Sequence, residues 1–211
     1  MLANKTSLIA ALTFTYISAF AQIDSKAKKI LDDLSAKTKS YTSIKAEFTK
    51  VLEKKDKSKE TQDSKLETKG NKYKLTIPGH EIYCDGKTVW DFVKEANEVI
   101  IKDMESDNSA LNPSTIFTLY EKGYKYKFDG EEAAINTISL FPENPDKQKF
   151  HTIKLNIDKI KKQIVSVKML MKDGTLQTYT IKSFVGDVEI SDSNFIFNAK
   201  LHPGISIEDL R

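Results

Sequence analysis

The residues able to do chemistry are few and scattered. Histidine occurs at His80, His151 and His202, far apart in sequence, and none has a second His, Cys or carboxylate at a recognised metal-ligand spacing. Each reads as an ordinary surface or turn residue rather than as a ligand or general base. The one thiol, Cys84, falls in an alternating apolar run with no His beside it, which predicts a buried structural side chain and not a nucleophile. The carboxylate pairs Asp32-Asp33 and Glu131-Glu132 lie in helical or turn-like polar stretches, where solvation is the default. Gly-x-Ser-x-Gly, His-Glu-x-x-His, Gly-x-x-x-x-Gly-Lys and Gly-x-Gly-x-x-Gly are absent from the sequence. The expectation is therefore a protein that is not an enzyme and that carries neither metal nor cofactor.

The basic residues do not make a nucleic-acid surface either. Lys54, Lys55, Lys57 and Lys59 are interleaved with Glu53, Asp56 and Glu60 and with no aromatic residue. Arg211 is the one arginine among 33 basic residues, so the planar fork that grips phosphate in bidentate fashion is missing from the body of the chain. With 30 acidic residues the formal charge is only +3, and 39% hydrophobic residues in a 211-residue chain suffice for one real core. Eight Gly, five Pro and one Cys exclude a collagen-like repeat, a low-complexity chain and a disulfide-stapled mini-domain.

The first residues read as an address. Lys5 precedes an apolar run from Leu8 to Ile17, and Ala19-Phe20-Ala21 is a small-x-small cleavage pattern. The run is shorter than the roughly 20 residues that span a bilayer, which predicts a signal peptide over residues 1–21 rather than an anchor. Residues 22–211 are expected to form a single exported, soluble domain, with no Cys near the cleavage site to be lipidated.

What must position any site is one helix followed by strands. Ile23, Ala27, Ile30, Leu31 and Leu34 recur at spacings of three and four, with Asp24 and Ser25 as caps, so an amphipathic helix opens the domain. After Ser40 the period becomes two, as in Ile44-x-Ala46-x-Phe48, Tyr73-x-Leu75-x-Ile77, Val99-x-Ile101, Ile153-x-Leu155-x-Ile157 and Val165-x-Val167-x-Met169-x-Met171. Asp85-Gly86, Asp129-Gly130 and Asp173-Gly174 read as hairpin turns. Lys54–Thr68 is nearly all polar and reads as a long solvated hairpin or an edge. Asn112-Pro113-Ser114 leads into Thr115–Tyr120, read as a short central helical turn with Pro113 near its start. The predicted fold is mainly β, a strongly curved antiparallel sheet with an N-terminal and a short central helix. Such a sheet has more apolar positions on its concave face than a short helix can cover, as in folds that enclose a ligand.

The chain resembles the LolA family of periplasmic outer-membrane lipoprotein carriers. The resemblance rests on the opening helix leading into Ser43-Ile44-Lys45-Ala46-Glu47-Phe48-Thr49, on Cys84-Asp85-Gly86-Lys87-Thr88-Val89-Trp90-Asp91-Phe92, on Asn112-Pro113-Ser114-Thr115-Ile116-Phe117, and on the tail Pro203–Arg211. It implies an unclosed β-barrel covered by helices, with a hydrophobic cavity that shields lipoprotein acyl chains between inner and outer membranes. Tyr73, Leu75, Trp90, Phe92, Val167, Met169 and Met171 would line the sheet, and Ile30, Leu34, Ile116, Phe117, Leu119 and Tyr120 would belong to the lid. The family's lid-holding Arg falls where this chain has Lys69-Gly70-Asn71, which makes Lys69 the candidate latch, with charge but no planar fork. The implied partners are acylated lipoproteins, an inner-membrane lipoprotein-releasing complex and an outer-membrane receptor, with no nucleic acid. A protein of the same fold carrying another lipid, glycolipid or amphiphile is the alternative.

Overall fold

The structure, a computed structural model, describes residues 24–104 and 123–211. The expected signal peptide and the lid residues Ile116, Phe117, Leu119 and Tyr120 lie outside the described residues. Helix α1 spans Ser25–Lys39, and Asp24 caps it, its carboxylate accepting the Ala27 N–H at 2.9 Å. The second oxygen of that carboxylate accepts the N–H of Phe128 at 2.7 Å, so the cap also fastens the helix to a strand about a hundred residues away. These two backbone N–H groups hold the Asp24 carboxyl below its ordinary value.

Among the described residues the strands form one twelve-stranded sheet. Its strands are β1 (Ile44–Glu53), β2 (Lys59–Lys69), β3 (Lys72–Ile77), β4 (His80–Cys84), β5 (Thr88–Val93), β6 (Glu98–Asp103), β7 (Tyr124–Glu132), β8 (Ile135–Pro142), β9 (Phe150–Asp158), β10 (Gln163–Met171), β11 (Leu176–Gly186) and β12 (Ser206–Asp209). The order across the sheet is β12-β6-β5-β4-β3-β2-β1-β11-β10-β9-β8-β7, so the end strands β12 and β7 do not pair and the sheet stays unclosed. All pairings are antiparallel except β12 on β6. Lys54–Thr68 proves to be the tip and second strand of the β1–β2 hairpin.

Two of the three Asp-Gly signals mark reversals, at β4–β5 and β10–β11, where Gly86 and Gly174 have φ of 96° and 82°. The third does not. Asp129-Gly130 lies inside β7 as a bulge between Phe128 and Gly130, and the chain reverses instead at Ala133, which takes φ 49°. The Asp129 carboxylate there accepts from Ser139 Oγ at 2.5 Å and pairs with Lys154 at 3.3 Å, so it is held by the neighbouring strands and not by its own turn.

Strand register sorts the apolar residues into two layers. On the concave side, Ala27, Leu31 and Leu34 of α1 meet Ile138, Leu140, Ile153, Leu155, Val167 and Met169, together with Ala46, Leu66, Tyr73, Cys84 and Val89. The helix lies over β7 and β10. On the convex side of β4–β6 a second cluster forms from Tyr83, Phe92, Val99 and Phe197, with Trp90, Ile101 and Ile205 packed on it. Its cover is the C-terminal segment, a strap that runs from Ile190 through two short 3-10 turns, Asp192–Phe195 and Ala199–Leu201, into β12. Phe197 and the His202 imidazole stack at 5.0 Å, and both rings contact Phe92.

The strap is pinned by charge at its start. Lys69 Nζ donates to Asp192 Oδ1 at 2.9 Å and to the Ile190 carbonyl at 3.1 Å, and Lys72 Nζ donates to Asp192 Oδ2 at 2.7 Å. The Lys72 and Lys69 ammonium groups hold the Asp192 carboxyl at about 2. A carboxyl depressed in the folded state contributes stability above its ordinary value of 3.8, and that contribution is lost as pH falls towards 2. Acidification through that window, or Asp192→Asn at neutral pH, is expected to loosen the strap and shift the emission of Trp90, the only tryptophan, to the red with far-UV dichroism retained. Emission unchanged in both cases would remove the pin from the account.

One glycine is required by contact rather than by φ. A Cβ at Gly186 would fall 2.1 Å from the Tyr41 ring, which itself packs on Phe184 at 5.5 Å. Gly186→Ala is therefore expected to lower unfolding free energy by about 1–3 kcal/mol, measured by denaturant titration.

Candidate functional site

The parity of the strands decides which of the expected cavity residues share a wall. Tyr73 pairs with Cys84 and Leu75 with Ile82, and all four side chains belong to the concave layer with Leu66, the partner of Leu75. Val167 and Met169 face the same layer from β10, and Met171 packs on it. Tyr73, Val167 and Met169 are buried, whereas Leu75 and Met171 are half-buried. Ile30 and Leu34 of α1 also meet this layer, Leu34 fully buried. Five of the expected sheet residues and both helix residues are thus brought together on one surface.

Trp90 and Phe92 are not among them. Trp90 pairs with Tyr83 and Ile101, and Phe92 with Val99, so both side chains point to the convex side, beneath the strap. Val89, next to Trp90 in the strand, belongs to the concave layer, as the alternation of side chains requires. Lys69 is on the convex side too, paired with Lys72 across the β2–β3 turn, and its ammonium holds the strap. The segment expected to be its partner as a lid lies outside the described residues.

The concave wall includes residues that the sequence did not single out. Phe48 of β1 and Tyr179 of β11 have ring centroids 6.2 Å apart, and Ile82, Tyr126 and Phe128 pack on the same layer. Burial pushes the phenols of Tyr179 and Tyr124 up, so both stay neutral, and the Tyr179 hydroxyl bonds to Gln177 Oε1 at 3.0 Å. The wall is therefore aromatic and aliphatic with neutral phenols, and the Lys50 and Lys26 ammonium groups lie over its Tyr179 and Phe128 rings at 5.9 and 3.8 Å; its bulk suits alkyl chains. A pocket of about 430 Å3 runs along the flank of α1, lined by Leu31, Ser35, Ala36 and Tyr126 with Lys28, Asp32 and Lys39. The signal for Phe48 was present, as the third member of Ile44-x-Ala46-x-Phe48, while Tyr179 sits in a run, Leu176–Val185, too polar to mark a face.

The titratable residues are placed as follows. Cys84 is fully buried, its sulfur accepting the Gly86 N–H at 3.4 Å. His80 Nδ1 lies 2.9 Å from Asp91 Oδ1 across the β4–β5 hairpin, a pairing that no short motif could announce. His151 Nδ1 lies 2.9 Å from its neighbour Thr152 Oγ1, and His202 is in the strap. Asp32 pairs with Lys28 at 2.6 Å, Asp33 with Lys162 at 3.2 Å, and Glu131 with Lys159. Burial pushes Glu81 up, but Lys94, Tyr83 and Lys74 together hold it at about 2, on the convex side. Among the described residues no group of three or more His, Cys, Asp or Glu side chains could hold a metal ion, and no helix is long and apolar enough to cross a membrane.

The fold is similar to an uncharacterized conserved protein from Thermus thermophilus, with a TM-score of 0.59 at 10% identity over 86% of this chain and 98% of that one. A LolA superfamily protein from Nitrosomonas europaea gives 0.46 at 11% identity, over 81% and 97% of the two chains. A DUF1329 family protein from Desulfovibrio piger gives 0.48 at 11% identity, over 82% and 98%. No curated protein sequence matches the chain. Residues 17–174, about three quarters of the sequence, match the family described as outer membrane lipoprotein carrier protein LolA, and the chain belongs to that family.

Proposed function

We propose that this protein is a periplasmic carrier that shields the acyl chains of lipoproteins on its concave apolar wall and delivers them from the inner to the outer membrane. In this reading the leader is removed after Ala21, the remaining single domain is soluble, and Tyr73, Leu75, Val167, Met169 and Met171 line the acyl site beneath Ile30 and Leu34. The observation that carries it is the concave wall itself: Phe48, Leu75, Ile82, Met171 and Tyr179 are only half-buried there, beside a core that the helix closes over β7 and β10. Membership of a family described as an outer membrane lipoprotein carrier supports a lipoprotein as the cargo.

The physics of the task fits such a wall. Exposing an alkyl chain to water costs about 0.8 kcal/mol per methylene, so the chains of a lipoprotein sum to several tens of kcal/mol gross. Escape through water is negligible on that scale, and cargo must pass by direct contact between carriers and acceptors. A wall of Met, Tyr, Phe and Leu offers adaptable dispersion contacts without a fixed polar grip, which holds chains of varied length and leaves release to the next apolar acceptor.

The test separates the two faces. With a fluorescent acyl probe, Leu75→Glu, which places a charge on the half-buried concave wall, is expected to weaken binding about tenfold or more at unchanged far-UV dichroism. Trp90→Ala, on the opposite face, is expected to leave binding within about twofold. Mass spectrometry of the ligand retained from the exporting host is expected to show acylated polypeptide. Free lipid or glycolipid alone would give the same wall a different cargo, and an effect of Trp90→Ala equal to that of Leu75→Glu would contradict the site.

A further inference from the structure

The sheet is split between β2 and β3. β2 pairs with β1 from Lys59 to Thr68, but with β3 only from Lys65 to Lys69. Among the described residues Lys59–Ser64 therefore have a strand on one side only, although β2 sits in the middle of the sheet order. Which backbone groups are left over follows from the register. The Lys54 N–H donates to the Ser58 carbonyl at 2.9 Å to close the β1–β2 hairpin, so Glu60, Gln62 and Ser64 turn their backbone groups to β1. Lys59, Thr61 and Asp63 turn theirs away from β1. Counting from the other end, across the two-residue Gly70-Asn71 turn, assigns the same parity.

Beside this edge lies a groove of about 400 Å3, closed on its far side by the turn Ile77-Pro78-Gly79. Pro78 has no N–H to offer, so the β3–β4 turn cannot complete the ladder. Phe48 lines the groove and also packs on the concave apolar layer, which makes the two continuous. The charged residues of the groove are mutually satisfied: Lys65 with Glu47 at 2.8 Å, Lys182 with Asp63 at 2.7 Å, and Lys94 with Glu81 at 2.8 Å. With those charges committed, the groove offers main chain beside the side chains of Phe48, Ser64, Thr76 and Ile77.

We infer that the free edge of β2 at Lys59, Thr61 and Asp63 takes an extended polypeptide segment as an added strand, the segment being the stretch that follows the acylated N-terminus of the cargo. This rests on the carrier reading above and extends it from the lipid to the peptide. Three outward-facing residues pair with about five residues of extended chain. Strand addition reads backbone and not side chains, which suits a carrier whose cargoes share a modified terminus rather than a sequence. A second copy of this chain is a poorer occupant. Antiparallel pairing of two β2 edges about Thr61 would run the other copy's hairpin tip, Lys54–Ser58, alongside Lys65, where Thr76 is already seated. A single extended chain brings no tip.

The test compares two ligands that share one lipid: a triacylated cysteine carrying an uncharged ten-residue peptide, and the same triacylated cysteine as its methyl amide. Binding to the full chain is measured for the wild type and for Thr61→Pro, which removes an outward N–H and leaves the β1 ladder intact. The expected result is about a five- to tenfold loss for the peptide-bearing ligand in Thr61→Pro with no change for the methyl amide. With wild-type protein, N-methylation of alternate peptide bonds in the ligand is expected to give a similar loss, a readout that no folding defect can mimic. Hydrogen exchange at Lys59, Thr61 and Asp63 should slow only with the peptide-bearing ligand. Equal binding in every comparison overturns the inference while leaving the carrier reading in place, as does a ligand-free dimer that Thr61→Pro dissociates. Failure of the methyl amide to bind wild-type protein overturns the carrier reading and the inference with it.

Discussion

The contact on which the rest of the molecule depends is the burial of one helical stripe, Ala27, Leu31 and Leu34, against the concave side of the sheet over β7 and β10. Burying the two leucines contributes about 1.5–3 kcal/mol each. The cap adds direction to that adhesion, because Asp24 bonds at once to the first turn of α1 and to the backbone of Phe128 on the end strand. An unclosed sheet leaves an end strand exposed unless something covers it. Here the helix is laid over that end, and the middle of the concave face is left to half-buried Phe48, Leu75, Ile82 and Tyr179.

A second cover was needed because the sheet is apolar on both sides at β4–β6. The strap supplies it by geometry and charge together: Phe197 fills the convex cluster, β12 adds a parallel strand to β6, and Asp192 is pinned by two lysines. The convex aromatics Tyr83 and Phe92 are covered by Phe197 of the strap, while the aromatics of the concave side face the region between sheet and helix. Most other charges pair locally on the surface, where each pair contributes little to stability, so the surface offers shape and apolar area rather than a long-range field.

Much of this was legible in the sequence, and the failures have physical causes. The helix declared itself through its 3.6-residue stripe and its Asp cap, and most of the strands through their alternation. Asp129-Gly130 misled because a Gly at φ 150° serves a bulge as well as a turn, and nothing local distinguishes the two. Trp90 and Phe92 were assigned to the wrong wall because Val89 and Trp90 are both shielded, on opposite faces, so the run carries no parity of its own. Only the pairing of Trp90 with Tyr83 sets it. Lys69 could not be matched to Asp192 for a simpler reason: they are 123 residues apart, and the strap that unites them has no periodic signature.

The central claim, that acyl chains lie on the concave wall beside α1, is tested most directly by photo-crosslinking. A lipopeptide with a diazirine at the end of one acyl chain, irradiated on the protein and mapped by peptide mass spectrometry, is predicted to label Phe48, Leu75, Met171 or Tyr179. Labelling confined to the convex side, at Trp90, Phe197 or elsewhere on the strap, would contradict the account.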